Sequence, residues 1–425
     1  MSAVARGGRP GWREQVATLR ELMNRPLTSY YLIVGCSALL LGLGLMMVLS
    51  ASSIPSMERA QSPFAMFTKQ AFSAALGVPL MWICSRLPVR VFRMVAYPVI
   101  ALAIFALVLV LIPGVGTTAL GATRWIDLGP IYVQPSEPAK LGLVLWGADL
   151  LARKKQLGLL GEWRHLLIPL MPGAGLLAVL VMLGRDLGTT LVLMLIFLSL
   201  LWVVGAPIRI FAGILGVLAL AAATMIVVEP YRMDRLTGFW DPWAVATDEG
   251  YQLVQGLTAL GSGGWFGTGL GASRAKWNYL PHAESDFIFS IIGEELGLMG
   301  TLIVVGLFGL LGYTGLRVAK RVNDPFMRLA AAAATAWIAG QAIVNIGAVI
   351  GVFPVTGIPL PLVSYGGSAL LPTLAALGML LSFAKREPGA QEALAARAPG
   401  PVLRALSWLG LGKQKPSNQR TGSPK

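Results

Sequence analysis

Long uncharged apolar runs recur along this chain, separated by short polar joints. They lie near residues 30–50, 68–86, 93–112, 138–152, 165–183, 187–205, 208–228, 287–316, 328–350 and 366–384. Most reach or approach the roughly 20 residues that a helix needs to cross a bilayer. Hydrocarbon leaves backbone polar groups no water to bond, so spanning runs of this length must be helices. A membrane barrel would show short alternating segments, and these runs do not alternate. The pattern predicts an all-α polytopic membrane protein with about ten spans, the fourth interrupted by Asp149. The first run is too long for a cleaved leader and is expected to stay as the first helix.

Composition fits that reading. Hydrophobic residues make up 55% of the 425 and charged residues 13%, far less charge than a soluble domain carries. The net charge of +14 is spread in short clusters between apolar runs and not gathered beside stacking aromatics, so it does not point to nucleic acid. The clusters Arg86/Arg90/Arg93, Arg153/Lys154/Lys155 and Arg317/Lys320/Arg321 set the orientation. Short basic joints stay cytoplasmic, which predicts both chain ends inside. Residues 1–28 and 386–425 read as basic cytoplasmic tails attracted to anionic lipid, flanking a ten-helix domain at 29–385. Residues 229–286, between the seventh and eighth runs, then form a large outer loop. Cys36 and Cys84 each lie in an apolar run without a metal or disulfide pattern.

Several polar groups stand out against this background. Asp286 sits where the outer loop meets the eighth run, and two roles suit it. It can cap that helix, or act as a carboxylate kept ionised by the helix dipole and able to accept a hydroxyl proton. Ser290 and Glu294 follow at i+4 and i+8 on the same face, and an interhelical polar contact is the simpler expectation for Glu294. Lys140 lies beside Glu137, with Arg124 a short loop away, a cationic group suited to a pyrophosphate. Asp149 pairs naturally with Arg153 at i+4, and Asp186 stands where it can cap the sixth helix. The glycine-rich stretch Gly261–Gly271 lacks the ending of a phosphate-binding loop and is expected to serve close backbone packing. Residues 353–367, with three prolines and three glycines, cannot form a regular helix yet are too apolar for a free loop. They are expected to dip into the outer leaflet with their backbone satisfied by protein.

Six stretches, in order, carry a resemblance: RWIDLGPIYVQPSEPAK, DLGTT, YRMDRLTGFWDPW, GYQLVQGLTALGSGGWFGTGLG, LPHAESDFIFSIIGEELG and PVTGIPLPLVSYGGS. Together they resemble the SEDS family (shape, elongation, division and sporulation), most nearly its division branch. The resemblance implies a ten-helix glycosyltransferase that polymerises lipid II into peptidoglycan at the outer face of the cytoplasmic membrane. It places the catalytic aspartate at Asp286. Arg124, Trp125, Glu137, Lys140, Asp186, Arg235 and Lys276 match its substrate-binding positions. Two departures are visible. His282 and Glu284 stand exchanged relative to the family's usual order, and Arg185 replaces a proline before Asp186. The implied partners are lipid II, a class B penicillin-binding protein, other division membrane proteins and membrane lipid. No cofactor is certain, although magnesium or manganese suits a pyrophosphate leaving group. The implied location is the inner membrane at the septum. A lipid II flippase, an elongation-type polymerase and a catalytically silent scaffold are the rival readings.

Overall fold

The computed structural model describes residues 25–119, 122–127, 129, 132–216, 239–248 and 250–395. Helices α1 (Thr28–Ala60), α2 (Ala65–Cys84) and α3 (Val89–Val110) open the bundle. A small antiparallel sheet follows, with β1 (Gly116–Ala119), β2 (Ala122–Asp127) and β3 (Tyr132–Val133) in that spatial order. Then come α4 (Ser136–Gln156), the short α5 (Trp163–Leu167), α6 (Leu170–Leu183) and α7 (Leu187–Val204). Residues 208–216 are helical as well. The second half holds α8 (Tyr251–Ser262), α9 (Ile288–Arg321), α10 (Pro325–Val349), α11 (Gly367–Ala384) and α12 (Ala390–Ala395).

Helices thus occupy every apolar run, the seventh leaving the described residues after 216. Among the described residues, six helices are long and apolar enough to cross a membrane. These are α1, α3, α7, α9, α10 and α11, the shortest of 18 residues, about 27 Å at 1.5 Å per residue. The fifth run breaks into α5 and α6 at Pro169, while α2 holds Thr68, Lys69 and Gln70 together near its start and α4 holds six charged residues. Outward faces are apolar: Met94, Leu102 and Phe105 of α3 stand 60–74% exposed. Such a surface is a liability in water but suits hydrocarbon. The chain is a multi-pass membrane protein. The sheet is an addition to the all-α expectation, because its strands are too short for alternation to register.

α10 is the central post. Asp324 caps it by accepting a hydrogen bond from Met327 N at 3.0 Å, and Pro325 sits in its first turn. Ala330, Ala331, Ala333 and Ala334 are fully buried, and their small side chains let α4, α7 and α9 approach closely. The basic clusters gather at one end of the bundle. There Asp149, fully buried, pairs with Arg153 (2.7 Å), as its i+4 spacing suggests, and also with Arg93 (2.9 Å) from the neighbouring helix α3. The C-terminal tail is anchored at its root. Lys385 donates to Ser85 O at 3.0 Å, and Glu387 pairs with Arg321 at 3.1 Å.

Candidate functional site

The site forms at the opposite end, around a break in helix α9. Gly297 has φ 69° and ψ −167°, outside helical space, and it splits α9 into two half-helices. Glycine tolerates this conformation where other residues strain. The glycine-rich loop fills the break. Thr268 N and Gly269 N donate to the carbonyls of Glu294 and Glu295 at 2.9 and 3.1 Å, satisfying the end of the first half. Leu298 N and Met299 N, opening the second half, donate to Gly264 O and Trp265 O at 2.9 and 3.2 Å. A helix break otherwise strands these groups. A Cβ on Gly297 would collide with the backbone of residues 265–267, so the glycines serve close packing. Replacement Gly297→Ala should therefore lower the melting temperature of the purified protein. Strain alone costs about 1–3 kcal/mol, and thermal unfolding in detergent measures it.

Glu294 and Glu295 hold the next stretch of the loop. Glu294 accepts from Ser273 Oγ (2.6 Å), Arg274 N (2.8 Å) and Ala275 N (3.3 Å). The expected interhelical contact is thus replaced by one to the loop at residues 273–275. Glu295 accepts from Ser50 Oγ of α1 at 2.6 Å and pairs with Lys276 at 3.6 Å. Lys276 is 7% exposed and also donates to Gly271 O, so its ammonium is engaged inside the protein.

Asp286 lies just before α9 but does not cap it. The helix starts at Ile288, Phe287 holds the cap position, and no side chain caps it. Instead residues 282–286 form a tight turn, with Ser285 N and Phe287 N donating to His282 O at 3.0 and 3.3 Å. His282 has φ 57°, in the left-handed region uncommon for such a residue. Burial pushes the Asp286 carboxyl above its ordinary value. The charges of His282 and Arg124 and a hydrogen bond from Ser285 pull it down, while Glu284 adds to the rise. Desolvation outweighs the pull of these neighbouring groups.

Residues 351–366 wrap this turn as the apolar, proline-rich segment foreshadowed in sequence. Several of their backbone polar groups are met by protein. Tyr365 N donates to Glu284 O (3.0 Å), and Ser364 Oγ donates to Ser285 O (2.6 Å). Gln70 of α2 bonds both Ser364 O (3.2 Å) and Gly366 N (3.0 Å). From α10, Gln341 donates to Pro359 O at 2.8 Å. Asn345, one turn on, donates to Ile358 O at 2.7 Å and to Asp286 O at 2.9 Å. Gly357, at φ 69°, faces Asp286 closely: a Cβ there would sit 3.5 Å from Asp286 Oδ2.

The other sequence candidates divide. Arg124 and Trp125 lie on β2. Arg124 is within electrostatic reach of Asp286 and 3.9 Å from Asp186, and its buried Nε has no hydrogen-bond partner among the described residues. Asp186 caps α7, accepting from Thr189 N at 3.0 Å and Thr189 Oγ1 at 2.8 Å, and it also accepts from Gln134 at 3.2 Å. Arg185 beside it is exposed and has φ 61°. Glu137 and Lys140 pair at 2.8 Å and are 2% and 1% exposed. The Lys140 ammonium also donates to Gln341 Oε1 at 3.0 Å, 5.2 Å from the Trp337 ring centre. It is engaged inside the bundle. Arg235 lies outside the described residues. Among the described residues, no three His, Cys, Asp or Glu side chains converge as a metal site.

Gln341 and Asn345 are site residues that the sequence reading passed over. A signal was present: Trp337, Gln341 and Asn345 repeat every fourth position on an otherwise alanine-rich apolar helix.

Comparison with known proteins fits this geometry. The model of a family described as cell cycle proteins, FtsW/RodA/SpoVE, matches residues 30–388. A Mycobacterium tuberculosis protein named "Probable peptidoglycan glycosyltransferase FtsW" is 45% identical over 384 residues, 90% of this chain and 73% of that one. A relative of the same name from Halorhodospira halophila is 41% identical, over 82% of this chain and 88% of its own. Among solved structures, a chain from work on "structural coordination of polymerization and crosslinking by a peptidoglycan synthase complex" superposes with TM-score 0.69 at 30% identity. That match covers 83% of this chain and 96% of the other. The rod shape determining protein RodA of Thermus thermophilus gives TM-score 0.61 at 30% identity, with the same coverage.

Proposed function

The chain belongs to the FtsW/RodA/SpoVE cell cycle protein family, the SEDS family, and from that premise we propose that it is a peptidoglycan glycosyltransferase polymerising lipid II. Asp286 takes the proton of the acceptor GlcNAc 4-hydroxyl. The freed oxygen attacks C1 of the donor MurNAc with inversion, forming a β-1,4 bond. The C1–O bond to phosphate breaks, and undecaprenyl pyrophosphate departs. Arg124 is the described cation placed to hold the charge of that leaving group, and Asp186 steadies it.

The observation that carries this reading is the setting of Asp286. Burial raises its carboxyl from the ordinary value, which brings a general base nearer the working pH and strengthens it as a proton acceptor. A separate turn of backbone, not a helix cap, presents it. Lys140 and Lys276 then serve the scaffold and not the pyrophosphate, each being buried against its own carboxylate.

Incubating the purified protein with labelled lipid II tests the reading, alone and with a class B penicillin-binding protein. Glycan chains are expected. Trans-bilayer movement without chains would indicate a flippase, and neither would indicate a scaffold. The named relatives favour a division role and a crosslinking partner, and a tagged copy is expected at the septum. Localisation along the side wall would favour elongation.

The chemistry also needs Asp286 on the outer face. Cys36 and Cys84 are buried, so introduced thiols can be labelled above a low background. Leu270→Cys, at an exposed site in the loop, should react with an impermeant maleimide in intact cells. Lys320→Cys, at the other end of α9, should react only after permeabilisation. The reverse pattern would rule out the mechanism.

A further inference from the structure

We infer that Asn345 is a positioning residue for Asp286, holding the catalytic turn and the 351–366 segment in one fixed relation; this rests on Asp286 being the base. A single amide donates to both sides of the site: Asp286 O at 2.9 Å and Ile358 O at 2.7 Å. Only the NH₂ half of the amide can face two carbonyls, so the side chain's orientation is forced by its partners. Asn345 is 2% exposed, and its Oδ1 is buried without a hydrogen-bond partner among the described residues. An acceptor left unmade at such depth is costly, which argues that the donor side governs the choice of residue.

The position amplifies the effect. Asn345 projects from the central helix α10, four residues after Gln341, which bonds the same segment at Pro359 O. Gln341 fixes the segment but does not touch the Asp286 turn. Asn345 fixes both at once. It thereby sets how closely Gly357 backs the part-buried carboxylate, and so how much of Asp286 meets water. Reacting groups displaced by about 1 Å can lose about 100-fold in rate.

The test is steady-state polymerisation of labelled lipid II by the full chain in nanodiscs, across pH, with thermal unfolding of each variant. Asn345→Ala should lower kcat by about 100-fold with little change in KM. Its acid limb should move to lower pH, as the loosened turn lets more water reach Asp286. Asn345→Asp should be no better despite its matched size, because a carboxylate would face two carbonyls. Gln341→Met should lower the melting temperature yet move the acid limb much less than Asn345→Ala does. Where Asn345→Ala does not accumulate, Asn345→Ser keeps one donor and should show the same limb shift in smaller measure. Wild-type kcat in Asn345→Ala, an unmoved acid limb, or an equal shift in Gln341→Met would overturn the proposal. Full activity in Asp286→Asn would instead remove the base reading beneath it, so the two failures are told apart.

Discussion

Asp286→Asn is expected to abolish glycan polymerisation while making the folded protein more stable near neutral pH. The substitution keeps size and shape but removes the proton acceptor, and general-base catalysis contributes roughly 10²–10⁴-fold. Chain formation from lipid II should fall by that factor. The stability effect follows from desolvation. The carboxyl's folded pKa lies above its unfolded value, so the folded state binds the proton more tightly than the unfolded chain. The stability linked to that proton is complete below the ordinary carboxylate range. It is lost as pH rises through the raised folded pKa. At neutral pH wild-type protein bears the cost of a partly desolvated ionised carboxylate, which a neutral amide avoids. The melting temperature of Asp286→Asn should exceed that of wild type at pH 7 to 8, with the gap closing toward pH 4. Catalytic groups often stand at such a cost to stability. A variant as active as wild type would end the assignment; an inactive variant without added stability near neutral pH would show that desolvation is not what tunes this carboxylate.

The parts of this molecule that were legible in sequence are those governed by composition and short-range rules. Spanning helices announce themselves through apolar length. The glycines at 261–271 read as close packing, and they fill the break at Gly297. Residues 353–367 read as a segment whose backbone must be met by protein, and Gln70, Gln341 and Asn345 meet it. Less legible was anything decided by contact between distant segments. Glu137, Lys140 and Gln341 meet across about 200 positions of chain, and no periodicity marks which side of a helix faces a cavity and which faces its neighbours. Lys140 therefore read as a surface cation when it is an interior one. Asp286 read equally as a cap, because capping preference cannot see that the helix starts two residues later. The three-stranded sheet that carries Arg124 and Trp125 was silent, with strands of two to six residues.

The interior setting of Lys140 leads to the second large effect, one on folding. Glu137 and Lys140 form a pair with almost no solvent contact, and Lys140 reaches through Gln341 to the carbonyl of Pro359. Removing one partner from such a pair strands the other, at about 3–5 kcal/mol. That is a large share of a margin of about 5–15 kcal/mol for a typical domain. Lys140→Met should therefore lower the melting temperature sharply, and Glu137→Gln should follow, less steeply because an amide still accepts a hydrogen bond. Replacing both, as Glu137→Gln with Lys140→Met, should recover much of the loss, since no charge is then left buried alone. A pyrophosphate-binding lysine behaves otherwise: its loss raises KM for lipid II, leaves stability alone, and is not rescued by a second change at Glu137. Melting temperatures for the four proteins of this cycle, with KM for the two that fold best, separate a helix tie from a substrate ligand. Strong coupling in stability with an unchanged KM places Lys140 in the scaffold that holds the 351–366 segment against Asp286. Independent effects with a raised KM would return it to the substrate.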